Sequence, residues 1–262
     1  MKTFSKIYLA CWIFLSGCKY DVQLPESHKS VSTQTSGQFR LATDESFAKT
    51  ITLTNYKHWR ESDIPTNMSK DSKAACIKAW GCLPTAYLIA RRIYEKKWAV
   101  DATTYWDLAV SMGTTCKTGT DWTKPGRQAK NDLGNKHRTW EQDAYTIRSD
   151  AKNAIKKYLT LDKPIIIAVR INGTADPSII SINKKYNATT KKYDLVGVGH
   201  AVVLVGLNLG KDGTGTATYI DPLESESSGK NKKTVNYTTF LDSMNVSATD
   251  GGFFMQPIGV FN

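Results

Sequence analysis

The sequence predicts an α+β fold, with helices in the first half of the chain and strands in the second. Apolar residues recur at helical spacing over residues 83–98, whereas from Lys163 onward they form short continuous runs such as 164–171. Helices and strands that are segregated in this way are typical of a helical lobe packed against an antiparallel sheet. With 262 residues, 40% of them hydrophobic, the chain is long enough to bury a full core in one domain.

The N-terminus has the features of an export signal. Two lysines precede the apolar run 7–14, which is too short to span a bilayer, and Leu-Ser-Gly-Cys follows at 15–18. Small residues directly before a cysteine resemble a bacterial lipoprotein signal. The resemblance implies that residues 1–17 are removed and that Cys18 carries a lipid. The lipid would anchor the exported protein to a membrane, with the folded domain at the outer membrane or periplasm or at the cell surface. The alternative is an ordinary signal peptide with an incidental cysteine.

Composition separates a tether from a folded domain. Residues 18–50 are rich in Ser, Thr, Gln and Lys and have no sustained periodicity, so we predict a flexible tether there. Residues 51–262 then form the folded domain. No second long apolar stretch follows the export signal, so membrane attachment would depend on the lipid alone.

The charge balance bears on the partners of the protein. The formal net charge is +11, which suits anionic surfaces such as lipid head groups or cell-wall polymers, although a solvated basic surface with no special partner explains it equally well. The lysines are scattered, so we expect no nucleic-acid binding. The four histidines are far apart and no Cys-x-x-Cys or His-x-x-x-His spacing occurs, so we expect no metal and no other cofactor.

The coarse pattern predicts three helices and four strands. The predicted helices cover 83–98, 103–111 and 143–159, with a long loop over 113–138. The predicted strands cover 164–171, 199–207, 216–220 and 253–261, and the Ser, Gly and Lys stretch 225–233 is predicted to be a surface loop.

Three cysteines remain in the folded domain after the two in the export signal are set aside. They are Cys76, Cys82 and Cys116. In an oxidising compartment two of them can pair, which leaves one free thiol. We predict a Cys76–Cys116 disulfide with Cys82 free, although the sequence alone does not determine the pairing.

Cys82 is the candidate nucleophile. It opens the most regular predicted helix, and Pro84 supports this placement because proline is tolerated in the first turn. The positive end of a helix dipole lowers the pKa of a thiol, and only the thiolate is a good nucleophile. The backbone N–H of Cys82 would also be available to a developing oxyanion.

His200 is the candidate base, and Asp221 is the candidate residue that orients it. His200 lies at the start of an apolar strand, where an imidazole can be held rigidly beside a cleft. Asp221 ends the next predicted strand, 21 positions later, a natural separation for hairpin partners. Asn208 is a weaker candidate because it lies at the far end of the His200 strand.

These motifs resemble those of the papain-like cysteine peptidases. Gly81-Cys82-x-x-Thr85-Ala86 is similar to the nucleophile segment of streptopain-type enzymes, and Cys82-x-Pro84-Thr85 is similar to that of peptidases that cleave double-glycine leaders. The runs 163–167, 199–203 and 219–222 are similar to the second half of the same families. The resemblance covers roughly residues 59–222 and implies a papain-like fold with a Cys82–His200–Asp221 site.

The resemblance does not identify the side chain that donates a hydrogen bond to the oxyanion. Papain-like enzymes usually place a glutamine upstream of the nucleophile, and here Glu61 stands near that position. An ionised carboxylate repels an oxyanion, so Glu61 would serve only when protonated, or Asn67 would replace it. Leu83 likewise replaces the glycine that double-glycine leader peptidases have after the cysteine.

The function predicted from the sequence is hydrolysis of amide bonds in peptides or proteins through a thioester intermediate, by an exported, lipid-anchored cysteine peptidase. Two alternatives remain. One is an amidase or peptidase acting on the stem peptides of peptidoglycan, which uses the same chemistry. The other is an inactive papain-like lipoprotein that binds a peptide or a surface partner in its cleft.

Overall fold

The computed structural model describes residues 46–53, 60, 81–96, 102–115, 119–134, 136–137, 144–145, 148–181, 184–189, 192–224, 229–244 and 253–261. The described helices are α1 (Cys82–Glu95), α2 (Ala102–Ser111), α3 (Lys124–Leu133), α4 (Arg148–Thr160) and α5 (Tyr237–Ser243). The described strands are β1 (Phe47–Thr50), β2 (Ala144–Tyr145), β3 (Ile165–Ile171), β4 (Lys184–Asn187), β5 (Lys192–Leu195), β6 (Val198–Leu209), β7 (Gly215–Ile220), β8 (Lys232–Asn236) and β9 (Phe253–Pro257). Helices precede most of the strands, and the predicted α+β class is confirmed.

An antiparallel sheet of seven strands organises the domain. Its order is β2-β9-β3-β6-β7-β8, and β1 also pairs with β6. The long strand β6 pairs with β3 along its first half, with Val198 opposite Ile171 and Leu204 opposite Ile165. Its second half lies between β1 and β7. β4 and β5 form a separate two-stranded hairpin.

Helix α1 is the centre of the core. Every residue from Cys82 to Ala90 is buried, so this part of the helix is covered on all sides. It packs against β6 and β3 of the sheet and against α2 and α3 on its other sides. A helix that is covered all round belongs to the interior of a protein rather than to its surface. The position of α1 in the fold is therefore set by tertiary packing.

The predicted tether and the predicted long loop are each corrected in part. Strand β1 pairs Phe47 with Leu209 and Thr50 with Gly206, so the sheet already includes residues 47–50, which we assigned to the tether. Helix α3 lies inside the predicted loop 113–138. The helix buries only a narrow stripe, and a carboxylate on it binds α1, so neither its composition nor its periodicity revealed it.

The other corrections concern short elements. Strand β8 begins within the predicted surface loop 225–233, and the β4–β5 hairpin and α5 were not predicted. These elements are short, and local apolar runs do not mark them. Strand β9 ends at Pro257, earlier than the predicted 261, and α4 begins at Arg148 rather than at 143. Within the described ranges no helix is both long and apolar enough to cross a membrane.

Candidate active site

His200 is the third residue of β6 and lies opposite Val169 of β3. Its side chain is 1% exposed. The turn that leads into β6 is held by Arg170, whose Nε donates a hydrogen bond to the carbonyl oxygen of Val196 at 2.9 Å and whose Nη2 donates to that of Gly197. Gly197 has φ +69°, a conformation that favours glycine. The start of β6, and with it the histidine, is therefore held in place by the neighbouring strand.

Asp221 directly follows β7, the hairpin partner of β6, and is fully buried. Its Oδ1 accepts a hydrogen bond from Nε2 of His200 at 2.8 Å and another from the backbone N–H of Leu223 at 3.0 Å. Its own N–H donates to the carbonyl oxygen of Asn231 at 2.8 Å. The structure thus brings together two of the three side chains that the sequence predicted for the site.

This contact determines which nitrogen of His200 can act as a base. An ionised carboxylate is only an acceptor, so Nε2 carries the proton in the bond to Asp221. In the neutral ring the lone pair is then on Nδ1. A nucleophile that gives its proton to His200 must therefore give it to Nδ1, and Asp221 stabilises the imidazolium that results.

The charge state of Asp221 follows from its surroundings. Burial alone would raise the pKa of its carboxyl, but the charge and hydrogen bond of His200, followed by those of Lys233, outweigh burial and hold the pKa well below its usual range. Asp221 is therefore ionised at every pH at which a thiol could be activated.

Cys82 is the first residue of α1 and is 1% exposed. Gly81 is the N-cap, without a side-chain hydrogen bond, and the first turn contains no acidic residue. The positive end of the helix dipole is therefore not neutralised by a carboxylate within that turn. The Thr85 hydroxyl donates to the carbonyl oxygen of Gly81 at 2.7 Å and lies 2.5 Å from the hydroxyl of Tyr105 in α2, which anchors the start of the helix.

The direction of α1 is fixed by contacts at its C-terminal end. The Tyr94 hydroxyl accepts a hydrogen bond from the N–H of Val260 at 3.1 Å, and the Lys163 ammonium lies 4.6 Å from the centre of the Tyr94 ring. Lys163 comes just before β3, whose first residue pairs with Leu204 of β6. The C-terminal end of α1 therefore lies at the end of β3 that is remote from His200.

Measured from the contact between Lys163 and Tyr94, α1 and β3 extend over similar lengths. The twelve-residue step from Tyr94 back to Cys82 spans ~18 Å of helix. The six-residue step from Lys163 to Val169, the partner of His200, spans ~20 Å of strand. Helix α1 packs on both β3 and β6, so an α1 that runs along β3 would bring Cys82 to the end of the sheet where His200 lies.

Cys82 is part of a disulfide bond. The prediction that this residue is the free thiol of the domain is therefore wrong for the state described here. The predicted partners Cys76 and Cys116 lie outside the described residues, and so does the residue bonded to Cys82. Sequence spacing did not reveal this pairing because disulfide formation depends on the distance and direction between Cβ atoms in the fold.

Lys233 and Glu224 complete the surroundings of Asp221, and both were missed in the sequence. The Lys233 ammonium lies 2.8 Å from Oδ2 of Asp221 and 3.1 Å from Oε1 of Glu224. Lys233 was assigned to a surface loop, whereas it lies in β8 opposite Tyr219. Exposed and half-buried residues alternate along β8, but Lys-Lys-Thr-Val-Asn at 232–236 contains only one apolar residue, so no local apolar pattern marks this strand.

The remaining candidates lie away from these residues or outside the described ranges. Asn208 is exposed at the other end of β6, ~26 Å of strand from His200, and pairs with Thr216. Glu61 and Asn67, the oxyanion candidates, and Cys18, the lipidation candidate, lie outside the described residues. In the described part of the chain, no group of His, Cys, Asp or Glu side chains is arranged to hold a metal ion.

Comparison with known proteins identifies the family. No curated protein matches the chain, and no solved structure does. The model of the Peptidase C39 like family matches residues 45–247, which is more than three quarters of the chain and includes all of α1 and strands β1 to β8. The match supports the resemblance to the papain-like cysteine peptidases that the sequence motifs indicated. The chain therefore belongs to the Peptidase C39 like family, within the papain-like cysteine peptidase superfamily.

Proposed function

We propose that this protein is an exported, lipid-anchored cysteine peptidase that cleaves amide bonds in peptides or proteins. In this proposal Cys82 is the nucleophile, His200 the general base and Asp221 the residue that orients the base. The observation that carries the proposal is the buried 2.8 Å bond from Nε2 of His200 to Asp221, in a chain of the Peptidase C39 like family. It leaves Nδ1 to accept the thiol proton.

The reaction proceeds in two stages. His200 takes the proton of the Cys82 thiol at Nδ1, and the thiolate attacks the carbonyl carbon of the substrate amide. When the tetrahedral intermediate collapses, the C–N bond breaks and His200 returns the proton to the leaving amine, which leaves a thioester on Cys82. Water then gives a proton to Nδ1 and attacks the thioester carbonyl. When the C–S bond breaks, His200 returns this proton to the Cys82 sulfur, so the carboxylic acid product leaves and the thiol is regenerated. Asp221 stays ionised throughout.

The oxyanion needs donors, and the start of α1 supplies one. The backbone N–H of Cys82 lies at the positive end of the helix, where a negative charge is stabilised. A second donor would come from upstream, either from Glu61 in its protonated form or from Asn67. Because only the protonated form of Glu61 can donate, the two candidates predict different pH dependence.

Activity in this proposal requires a reductant. A sulfur held in a disulfide bears no thiolate, so Cys82 cannot attack a carbonyl until the bond is opened. A dithiol reductant opens it by exchange, in which the reductant is oxidised to a disulfide while Cys82 and its partner each gain a proton and an electron. The disulfide also fits an oxidising compartment, which supports the proposed export.

The test uses the full-length protein in detergent, first oxidised and then reduced with dithiothreitol. Alkylation by iodoacetamide is measured at the Cys82 peptide by mass spectrometry, and cleavage of a peptide library is followed in parallel. We expect no alkylation of Cys82 and no cleavage before reduction. After reduction we expect Cys82 to react at neutral pH at least about tenfold faster than the other cysteines, since a lowered pKa increases the thiolate fraction.

The matched variants are Cys82→Ala and Cys116→Ala. The Cys82→Ala protein should lose cleavage by at least about a thousandfold, because the covalent route is removed. The reduced Cys116→Ala protein should cleave like the reduced wild type. Equal cleavage by the reduced wild type and Cys82→Ala proteins would exclude the proposed mechanism.

One observation favours the second candidate, an inactive papain-like protein that binds a peptide or surface partner. Cys82 is both buried and oxidised in the described state. If the reduced Cys82 thiol reacts no faster than the other cysteines, the inactive binder becomes the better assignment. Release of stem-peptide fragments from purified peptidoglycan would instead identify the cell wall as the substrate.

The proposed anchor has its own test. We expect cells that produce the wild-type chain to incorporate radioactive palmitate into it, and the Cys18→Ser chain to remain unlabelled, since the acyl chains would be attached through Cys18. Labelling of the Cys18→Ser chain, or absence of label from the wild type, would exclude a lipid at this position.

A further inference from the structure

The carboxylate of Asp221 is held on both of its oxygens. Oδ1 accepts hydrogen bonds from His200 and from the backbone N–H of Leu223, while Oδ2 lies 2.8 Å from the Lys233 ammonium. Asp221 has no exposed surface, so water does not compete with these donors. Three donors on two oxygens define the plane of the carboxylate and therefore the direction in which it presents Oδ1 to His200.

The Lys233 ammonium is itself held between two carboxylates. Besides Asp221 it contacts Oε1 of Glu224 at 3.1 Å, and both Lys233 and Glu224 are about one fifth exposed. The result is a row of alternating charges that starts at the His200 ring when it is protonated and continues through Asp221 and Lys233 to Glu224. Its outer end reaches solvent and its inner end is buried.

We infer that Lys233 is a positioning residue of the active site, which holds Asp221 ionised and oriented toward His200. This inference rests on the proposed function, because it gives Lys233 a role in catalysis through Asp221 and His200. Lys233 does not touch the reacting atoms. It occupies the carboxylate oxygen that His200 does not use, so the carboxylate cannot rotate away from the imidazole.

Several charged groups among the described residues act on Asp221 or on Lys233. Asp176 is one of them, since its carboxylate interacts electrostatically with Lys233. The others are His200 on β6, Lys233 on β8 and Glu224 in the turn after β7. The neutral phenol of Tyr219 also lies near, and burial together with the Asp221 and Glu224 carboxylates raises its pKa. Burial by itself raises the pKa of Asp221, and His200 and Lys233 together reverse that effect. Without Lys233, the fully buried carboxylate would keep only His200 as an ion-pair partner among the described residues.

The chain supplies a matched control in the same strand. Lys232 precedes Lys233 in β8 and is exposed, since successive side chains of a strand point to opposite faces. In the ladder Lys232 lies opposite Ile220 and Lys233 opposite Tyr219. Replacing either lysine removes one positive charge from β8, but only the change at Lys233 removes the cation beside Asp221.

The experiment compares the full-length Lys233→Met, Lys233→Arg and Lys232→Met proteins with the wild type in detergent after reduction. The first measurement is the titration of the Asp221 carboxyl carbon by NMR, which needs no substrate. The second is the pH dependence of iodoacetamide alkylation at Cys82, quantified on its peptide. Thermal unfolding of each protein establishes that it is folded under the conditions used.

In Lys233→Met we expect the Asp221 midpoint to rise by about one unit or more. The acid limb of Cys82 alkylation should also move to higher pH, because an imidazole that Asp221 holds less firmly stabilises the Cys82 thiolate less. Lys233→Arg should restore both quantities, because arginine keeps the cation, and Lys232→Met should change neither. If Lys233→Met acted only by disrupting the structure, Lys233→Arg would not restore the wild-type pH profile.

Two results would overturn the inference. One is an Asp221 midpoint in Lys233→Met equal to that of the wild type, and the other is an equal shift in Lys232→Met. The proposed function fails by a different result, namely slow alkylation of Cys82 in the reduced wild type. In that case the NMR titration still decides whether Lys233 keeps Asp221 ionised.

Discussion

Two histidines in the described part of the chain are similarly buried but have hydrogen-bond partners of different charge. His200 is 1% exposed and His137 is 3% exposed. Nε2 of His200 meets the carboxylate of Asp221 at 2.8 Å, whereas Nδ1 of His137 meets the backbone carbonyl oxygen of Gly259 at 2.6 Å. One ring faces a full negative charge and the other a neutral dipole.

The partner, rather than the burial, decides what each ring can do. Burial lowers the pKa of His137, the bond to Gly259 opposes this only in part, and the nearby Lys163 ammonium lowers the pKa further. His137 is therefore neutral at neutral pH and joins its own segment to the C-terminal segment. An imidazolium at His200 is instead stabilised by Asp221. A base that must hold a proton during a reaction needs a negatively charged partner, as His200 has in Asp221.

The largest expected effect is on amide cleavage, and it directly tests the difference between His200 and His137. His200→Gln should reduce amide cleavage by the reduced protein at least about a thousandfold, because no group remains to accept the thiol proton. His137→Gln should leave cleavage within about twofold while lowering the free energy of unfolding by about 1 kcal/mol through its altered bond to Gly259. Steady-state cleavage and urea unfolding measure the two quantities. Similar losses of cleavage in both variants would show that the distinction is incorrect.

A smaller effect is expected when the carboxylate is removed and the base is kept. Asp221→Ala should reduce cleavage roughly a hundredfold, because His200 loses both its orientation and the charge that stabilises its protonated form. The control is Asp132→Ala, which removes a carboxylate 2.6 Å from Nη1 of Arg91 between α3 and α1. That change should affect thermal stability and not cleavage. If Asp132→Ala impaired cleavage as strongly, the role of Asp221 would be structural.

The smallest expected effect is on how the stability contributed by His137 depends on pH. The folded-state pKa of His137 is lowered, so the unfolded chain binds more protons once the pH falls below the ordinary histidine value of about 6.5. The stability contributed by neutral His137 is present above that pH and is lost as the pH falls toward the folded-state pKa. We expect His137→Phe to reduce the fall in melting temperature between pH 7 and pH 5 by about 2 °C. Calorimetry at both pH values measures this, and an unchanged slope would contradict the assignment.

The sequence predicted those parts of the site that have a local signature. Cys82 precedes a long apolar helical pattern, and the runs around His200 and Asp221 are apolar strands of ordinary length. The β6–β7 pairing follows from their proximity in the chain, and it brings these last two residues together. Helix α1 and strands β3, β6 and β7 were predicted to within a few residues for the same reason.

Elements without such a signature could not be predicted. Helix α3 is polar, and a carboxylate at Asp132 ties it to α1. Strand β1 is four residues long and is defined by its pairing with β6. Lys233 looks like one more lysine in a basic stretch, and only the ladder between β7 and β8 brings it beside Asp221.

By itself the sequence determined the class of the fold and the order of its main elements, and it singled out a candidate nucleophile and a candidate base, because amphipathic periodicity and apolar runs are local properties of a chain. The tertiary structure decided which groups share the site. It joined His200 to Asp221, added Lys233 and Glu224, and engaged Cys82 in a disulfide. The physical reason is that hydrogen bonds, ion pairs and disulfides act over a few ångströms in space, and separation along the chain does not fix those distances.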